Sequence, residues 1–288
     1  MTKRILVQID GDATPSVFDG VVAVDSDVDF LFRHHGIDQS NVTSLVHGAI
    51  FTRGGDNLKN TAIFVGGSNV SAAEATFAAA QKAFFGPMRV SIMMDANGCN
   101  TTAAAAVVCA KRHVDFQDAG VLVLGGTGPV GLRVASMAAS AGARVFIASR
   151  SESRAAGACD QLRKQIPDGN FQPASNAGNR CDDVEIVFGC GAAGATLMDA
   201  DEVKSGDMKM LVDLNAVPPS GIQGVDAMAA GVAHPQSPQT LCYGAIGVGG
   251  LKMKVHRAAI RHLFTTNDAV LDASEICAMA IEIDGDRG

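Results

Sequence analysis

The stretch LVLGGTGPVGLR, Leu122 to Arg133, constrains this chain more than any other, because an apolar run meets Gly126, Gly128 and Gly131 in the spacing G-x-G-x-x-G. With 32 glycines in 288 residues such a spacing also arises by chance, so its flanks decide what it means. A strand-like VLVLG precedes it, and PVGLRVASMAASAG, RVFIAS, SRAAGACDQLRKQI, VEIVFGCG and MLVDLNA follow as alternating helix and strand patterns. That order predicts an α/β fold, a doubly wound parallel sheet of the Rossmann type. In that setting Gly126 allows the tight turn, Gly128 lets a pyrophosphate approach the backbone, and Gly131 permits close helix packing. Pro129 suits the first helical turn, where its missing N–H costs little, and Thr127 and Val130 complete a loop that presents a helix N-terminus to phosphate. The competing reading is a glycine turn in an α/β domain that serves another ligand.

Cofactor choice is read where the second strand ends, here as IASRSESR. Sites selective for NAD usually place a carboxylate on the ribose at this point. Ser149, Arg150 and Arg154 replace it with a hydroxyl and two guanidinium groups, whose forks match phosphate. NADP is favoured and NAD stays possible; solvated surface arginines are the alternative. Cys190 and Gly191 in VFGCG and Asn215 in VDLNA, at the ends of the next two strands, complete the candidate cofactor set.

Before the glycine motif a second α/β region is visible. RILVQID reads as a strand running into the turn-rich GDATPSVFDG. NTAIFVGGSNVSAAEATFAAAQKAFFG reads as strand, glycine turn and helix, with Ser71 and Glu74 as a capping box and Gly86 closing the helix. MRVSIMMD is a further strand, and ANGCNTTAAAAVVCAKRH a loop feeding an alanine-rich helix. The spacing predicts an N-terminal α/β domain over residues 1–115, a dinucleotide domain over 116–245, and C-terminal helices over 246–288 that pack back on the first domain. Ile166 to Asp183 is polar and loop-prone.

Composition narrows the function classes. A formal charge of −7 and few aromatic residues oppose nucleic-acid binding. No apolar run reaches the roughly 18 residues of a membrane span. MTKRILVQIDGD puts Asp10 and Asp12 where an export signal needs apolar residues, which predicts a cytoplasmic protein. Seven scattered cysteines form no C-x-x-C pair and no zinc spacing, so they read as reduced thiols, and no metal site is expected.

Taken in order, DATPSVFD, TRGG, TAIFVGG, FFGP, NTTAAA, GTGPVG, NAVPP and GAIGVGGLKMKVHR resemble the bacterial NADP-dependent methylenetetrahydromethanopterin dehydrogenase family, which also has members acting on methylenetetrahydrofolate. The resemblance runs from Asp12 to Arg257. It implies that the N-terminal domain binds a small-molecule tetrahydropterin and that a hydride passes from its methylene bridge to the nicotinamide. It also favours a homo-oligomer. The same reaction on methylenetetrahydrofolate or with NAD, or a non-catalytic NADP sensor, are the alternatives. A shikimate-type dehydrogenase needs a proton-transfer partner, and no well-placed Lys–Asp or His–Asp pair is visible.

Candidate pterin residues follow from this resemblance. Asp19 could hydrogen-bond pterin nitrogens or favour the developing cation, or serve a turn or cap. Asn100 and Thr102 begin a helix, where Asn100 is also a natural N-cap. Arg53 could pair with an anionic tail or an internal carboxylate. Lys252, following GAIGVGGL, is the candidate catalytic residue: at a helix start a cation is mildly disfavoured by the macrodipole, which points to a use. The alternative is a snorkelling surface lysine.

Overall fold

Central strands rich in Val, Ile, Leu and Met, apolar at nearly every position, are what a parallel sheet covered on both faces requires. A computed structural model of the chain describes residues 2–174, 184–205 and 207–285 and contains two such sheets. In chain order the elements are β1 (Ile5–Ile9), α1 (Val17–Val24), β2 (Phe30–His34), α2 (Val42–Phe51), β3 (Thr61–Val65), α3 (Val70–Lys82), β4 (Ser91–Met94) and α4 (Cys99–Lys111). Then come β5 (Gly120–Leu124), α5 (Pro129–Ser140), β6 (Arg144–Ala148), α6 (Glu152–Gln165), β7 (Asn170–Ala174), β8 (Ile186–Gly189), α7 (Ala200–Ser205) and β9 (Met210–Asp213). The hairpin β10 (Ala230–His234) and β11 (Ser237–Gly244), then α8 (Ala245–His262), β12 (Val270–Leu271) and α9 (Ala273–Gly285), complete the chain.

By contacts the chain forms two units, Met1–Thr101 with Met253–Gly288, and Thr102–Lys252. The sequence reading sets its boundaries at 115/116 and 245/246; the contact boundaries fall inside α4 and α8, because each helix carries the chain from one unit to the other. The C-terminal residues from Met253 belong to the first unit.

The first unit is a five-stranded sheet of order β2-β1-β3-β4-β12, parallel throughout. Leu6, Ile9, Ile63, Phe64, Ile92 and Met93 are buried in its core, while β2 lies at the edge with Phe30 and Phe32 exposed. Each fully buried side chain of this size contributes about 1.5–3 kcal/mol.

The second unit is a seven-stranded sheet of order β7-β6-β5-β8-β9-β11-β10, parallel except for β10. This is the doubly wound arrangement expected from the glycine motif, with its core built from Leu122, Phe146, Val187, Leu211 and their neighbours. The segment expected to be loop-prone, from Ile166, contains β7, whose Pro173 is tolerated because the strand lies at the sheet edge. The rest of that segment, with Cys181, lies outside the described residues. The other six cysteines are in the thiol form, with no disulfide between them.

Two local expectations change. Helix α3 is capped by Asn69, whose Oδ1 accepts from the Ala72 N–H at 3.1 Å, so Ser71 lies inside the helix and the capping box does not form. That helix ends at Lys82; Gly86, at φ +58°, turns the chain that follows.

Candidate functional site

The glycine loop sits between the C-terminal end of β5 and the start of α5. Its positive-φ residue is Gly125, at +67°, rather than Gly126, and a Cβ there would lie 2.6 Å from the Gly191 Cα. The tight turn therefore belongs to Gly125. Gly126 is needed for packing, since its Cβ would lie 2.8 Å from both Ile147 Cγ2 and the Val123 carbonyl. Gly131 seats α5 on the turn, its Cβ being 2.7 Å from the Gly126 Cα.

Gly128 differs. A Cβ there would meet nothing closer than the Gly125 carbonyl at 3.4 Å, and Gly128 is the N-cap of α5 with no side-chain cap. Pro129 follows at the helix start, and the backbone of Thr127, Val130 and Gly131 stands around an uncapped positive helix end. A dinucleotide phosphate fits this cradle.

The end of β6 adjoins the loop through the Gly126 N–H bonded to the Ala148 carbonyl at 3.0 Å. Ser149 and Arg150 come next, with Arg150 exposed and the Ser149 hydroxyl accepting from the Ser151 N–H at 3.3 Å. Ser151 caps α6, and Arg154 is exposed in its first turn. Cys190 and Gly191 meet the loop from β8, the Cys190 N–H bonding the Leu124 carbonyl at 2.8 Å. Burial, with the Asp213 carboxylate second, pushes the Cys190 thiol well above its ordinary range, so it stays a thiol. Asn215 is engaged in shaping its own loop: its Nδ2 donates to the Pro219 carbonyl at 2.8 Å and its Oδ1 accepts from Val217 at 3.0 Å.

In the first unit, Asp19 is buried in the first turn of α1, and its Oδ2 would lie 3.3 Å from a Cβ on Gly66, beside the C-terminal end of β3. The cap of α1 is Ser16, so Asp19 is not the capping residue. Asn100 is fully buried and not an N-cap. Asp95 holds that helix start, its Oδ1 accepting from the N–H groups of Asn100 and Thr101 at 2.9 and 3.1 Å. The Asn100 amide donates to the Met94 carbonyl at 2.7 Å and to Asp272 at 3.0 Å. These bonds fix its amide between β4 and Asp272, and Thr102 beyond it is only partly buried. Arg53 donates to the Asn60 carbonyl at 2.6 Å, just before β3.

Lys252 does not open a helix. The run GAIGVGG is already helical from Ala245, which places Lys252 in the interior of α8 and removes the macrodipole argument. Gly247 is there for close approach, since a Cβ on it would overlap the Ala229 carbonyl at 1.8 Å. Gly249, three residues before Lys252, would meet nothing within 4 Å, so the helix surface beside the lysine is bare.

Three further residues, outside the candidates the sequence offers, have notable surroundings. Asp95 and His256 form a His–Asp pair with Nδ1 3.7 Å from Oδ2, both fully buried, with His256 stacked on Phe64 at 5.7 Å. Nothing in sequence spacing joins residues so far apart. Asp213, at the end of β9, is buried, and burial raises its carboxyl above the usual range against three backbone hydrogen bonds that lower it. Among the described residues no group of three or more His, Cys, Asp or Glu could hold a metal ion, and no helix is long and apolar enough to cross a membrane.

A doubly wound sheet with an open, uncapped glycine loop facing the arginine-bearing end of its second strand defines a dinucleotide-binding protein. Comparison with known proteins takes this further. The family model for the N-terminal domain of methylene-tetrahydromethanopterin dehydrogenase matches residues 17–97, and that for shikimate/quinate 5-dehydrogenase matches residues 108–230. The bifunctional protein MdtA of Methylorubrum extorquens is 40% identical over 98% of this chain and 100% of its own. The NAD(P)-dependent methylenetetrahydromethanopterin dehydrogenase of the same organism is 29% identical over 99% of this chain and 100% of its own. Among solved structures, the 5-ketofructose reductase of a Gluconobacter strain has a TM-score of 0.52 at 12% identity, covering 98% of this chain and 99% of its own. The quinate dehydrogenase of Corynebacterium glutamicum, solved with NAD, has a TM-score of 0.51 at 14% identity, covering 97% of this chain and 99% of its own; both establish the fold alone. The chain belongs to the methylenetetrahydromethanopterin dehydrogenase family and is a nicotinamide-dependent oxidoreductase.

Proposed function

We propose that this chain transfers a hydride from the methylene bridge of methylenetetrahydromethanopterin to NADP, giving the methenyl form, in one-carbon metabolism. The observation that carries the reading is the glycine loop, uncapped and open at Gly128, in a chain related over its whole length to a dehydrogenase of that substrate. Gly126 to Gly131 hold the pyrophosphate, and Ser149 and Arg150, with Arg154 nearby, favour the phosphate of NADP over the bare ribose of NAD. Bound there, the nicotinamide supplies the hydride acceptor.

The methenyl product is a cation shared by two nitrogens, so no proton leaves in the hydride step. The chain's residues then have to position and to stabilise charge, not to act as a base. Lys252 orients the pterin through a carbonyl or a tail carboxylate, with the bare backbone at Gly249 giving room for a flat ring. Asp19 accepts from pterin N–H groups and favours the cation, and Thr102 adds a hydroxyl at the start of α4. Asn100 contributes by fixing that start.

The protein works in the cytoplasm, where cysteines outside disulfides, as in this chain, are the ordinary state. It assembles with copies of itself. Val17, Val21 and Val24 of α1 and Phe30 and Phe32 of the edge strand β2 are each about half exposed or more, an apolar surface a monomer seldom leaves open.

The test is to measure rates with methylenetetrahydromethanopterin and methylenetetrahydrofolate, each with NADP and with NAD. The tetrahydromethanopterin and NADP pair should give the highest kcat/KM. A higher value with the folate, or with NAD, would reassign carrier or cofactor, and no reduction of either nucleotide would remove the catalytic reading.

A further inference from the structure

The loop after β9 is closed by one carboxylate. Asp213 Oδ1 accepts from the Asn215 N–H at 3.1 Å, and Oδ2 accepts from the N–H groups of Gly221 and Ile222 at 2.7 and 3.1 Å. Both ends of the segment Leu214 to Ile222 are therefore tied to one buried side chain. Two glycines make room for it: a Cβ on Gly189 would lie 3.0 Å from Oδ1, and one on Gly221 only 2.6 Å.

The closed loop is also sewn to the loop after β8. Leu197 N–H and Met198 N–H both donate to the Gly221 carbonyl, at 2.7 and 3.2 Å, and Gln223 N–H donates to the Met198 carbonyl at 3.0 Å. Leu214 N–H reaches back to the Gly189 carbonyl at 2.9 Å. Together these bonds set the rim of the sheet above the C-terminal ends of β8 and β9, the loop carrying the NAVPP sequence whose role the glycine motif does not explain.

In a doubly wound sheet the first mononucleotide half, here β5 to β7, takes the adenosine side of a dinucleotide, and the second half, from β8 onward, takes the other nucleotide. We infer that Asp213 is a positioning residue for the nicotinamide half of the cofactor: it touches no ligand itself but clasps the β8 and β9 loops into the rim against which that half binds. This rests on the dinucleotide reading given above. A carboxylate suits the task because it alone accepts from three backbone N–H groups without presenting a donor to any of them. An amide of the same shape would turn an NH2 group toward one N–H set and open the clasp.

The distinguishing experiment is calorimetry of Asp213→Asn with three probes: NADP, 2′,5′-ADP as the adenosine half, and nicotinamide mononucleotide. NADP should bind about tenfold more weakly or worse, while 2′,5′-ADP binds as in the unmodified chain; the loss of a charge-assisted bond and of loop order sets that scale. Equal losses for NADP and 2′,5′-ADP would make Asp213 a general fold residue and overturn the inference, as would no loss for either. Gly221→Ala attacks the same clasp from the other side, since its Cβ would meet Asp213 Oδ1, and it should give the same selective pattern if Asp213→Asn fails to fold. In turnover, both variants should raise KM for NADP more than they lower kcat. An unmodified chain that binds no NADP would remove the dinucleotide reading, and the clasp role with it, and that result is separate from normal binding by an intact Asp213→Asn variant.

Discussion

A Cβ on Gly131 would stand 2.7 Å from the Cα of Gly126, so α5 rests directly on the backbone of the turn that precedes it. Gly128, between them in sequence, has ordinary space for a Cβ among the protein's own atoms. The three glycines of one motif therefore answer to different demands. Gly131→Ala should lower stability by about 1–3 kcal/mol through overpacking, seen as a drop in Tm. Gly128→Val should melt close to the unmodified protein yet lose NADP binding in calorimetry. A stable Gly128→Val variant with unchanged affinity would mean that this glycine serves the turn alone.

Arg150 is exposed directly after β6, where a ribose-binding carboxylate stands in sites selective for NAD. Replacing Arg150 with Ala should weaken NADP by about 10-fold to 100-fold, the value of a charge-assisted phosphate contact, and leave NAD nearly unchanged. Titrations with both nucleotides decide it, and equal losses would count against the phosphate role.

The second unit was largely legible in the sequence because each parallel strand is a continuous apolar run followed by a helix signal. What escaped notice departs from that pattern. β7 carries Pro173 and polar residues that only an edge strand tolerates, and the hairpin of β10 and β11 has a half-exposed first strand. The glycine run before Lys252 reads as a loop because glycine disfavours helix, yet it lies in α8, where the backbone of Ala229 forces glycine at Gly247. Candidate residues were legible where a motif fixed them and not where tertiary pairing did. Asp213 and Asp95 stand at strand ends as unremarkable acids, and only folding shows which N–H groups they hold. Arg53 likewise shows its bond to the Asn60 carbonyl only in the folded chain.

Lys252→Ala should slow the hydride step by about 10²-fold to 10³-fold, the usual cost of one electrostatic contact, with NADP affinity unchanged because the glycine loop is untouched. Lys252→Arg should recover little, since a planar fork does not replace a compact ammonium. Single-turnover rates read at the nicotinamide absorbance should show no ionisation between about pH 6 and 8. A pH dependence that disappears in Lys252→Ala would make the lysine an acid or base.

Burial raises the Asp213 carboxyl in the folded state above its value of 3.8 in the absence of such effects. The native state thus holds this proton more tightly than the unfolded chain does. The resulting stability is fully present below about pH 4 and is lost as pH rises through the folded value. Urea denaturation from about pH 4 upward should show a falling contribution in the unmodified protein that Asp213→Asn lacks. The Cys190 thiol faces this carboxylate, and its raised value keeps it silent in that range. Parallel slopes in the two proteins would mean that Asp213 titrates as it does when unfolded.

The first unit takes its fifth strand from beyond the second. β12 pairs with β4 only after every strand from β5 to β11 has been made, so synthesis from the N-terminus leaves one side of β4 without its neighbour while the whole second unit can form. That waiting edge is Ser-Ile-Met-Met, apolar and unpaired, a template for a neighbouring nascent chain. On a crowded polysome the hazard is greatest in the interval between the emergence of β4 and that of β12, and a pause in translation there should turn a transient edge into a nucleus for aggregation.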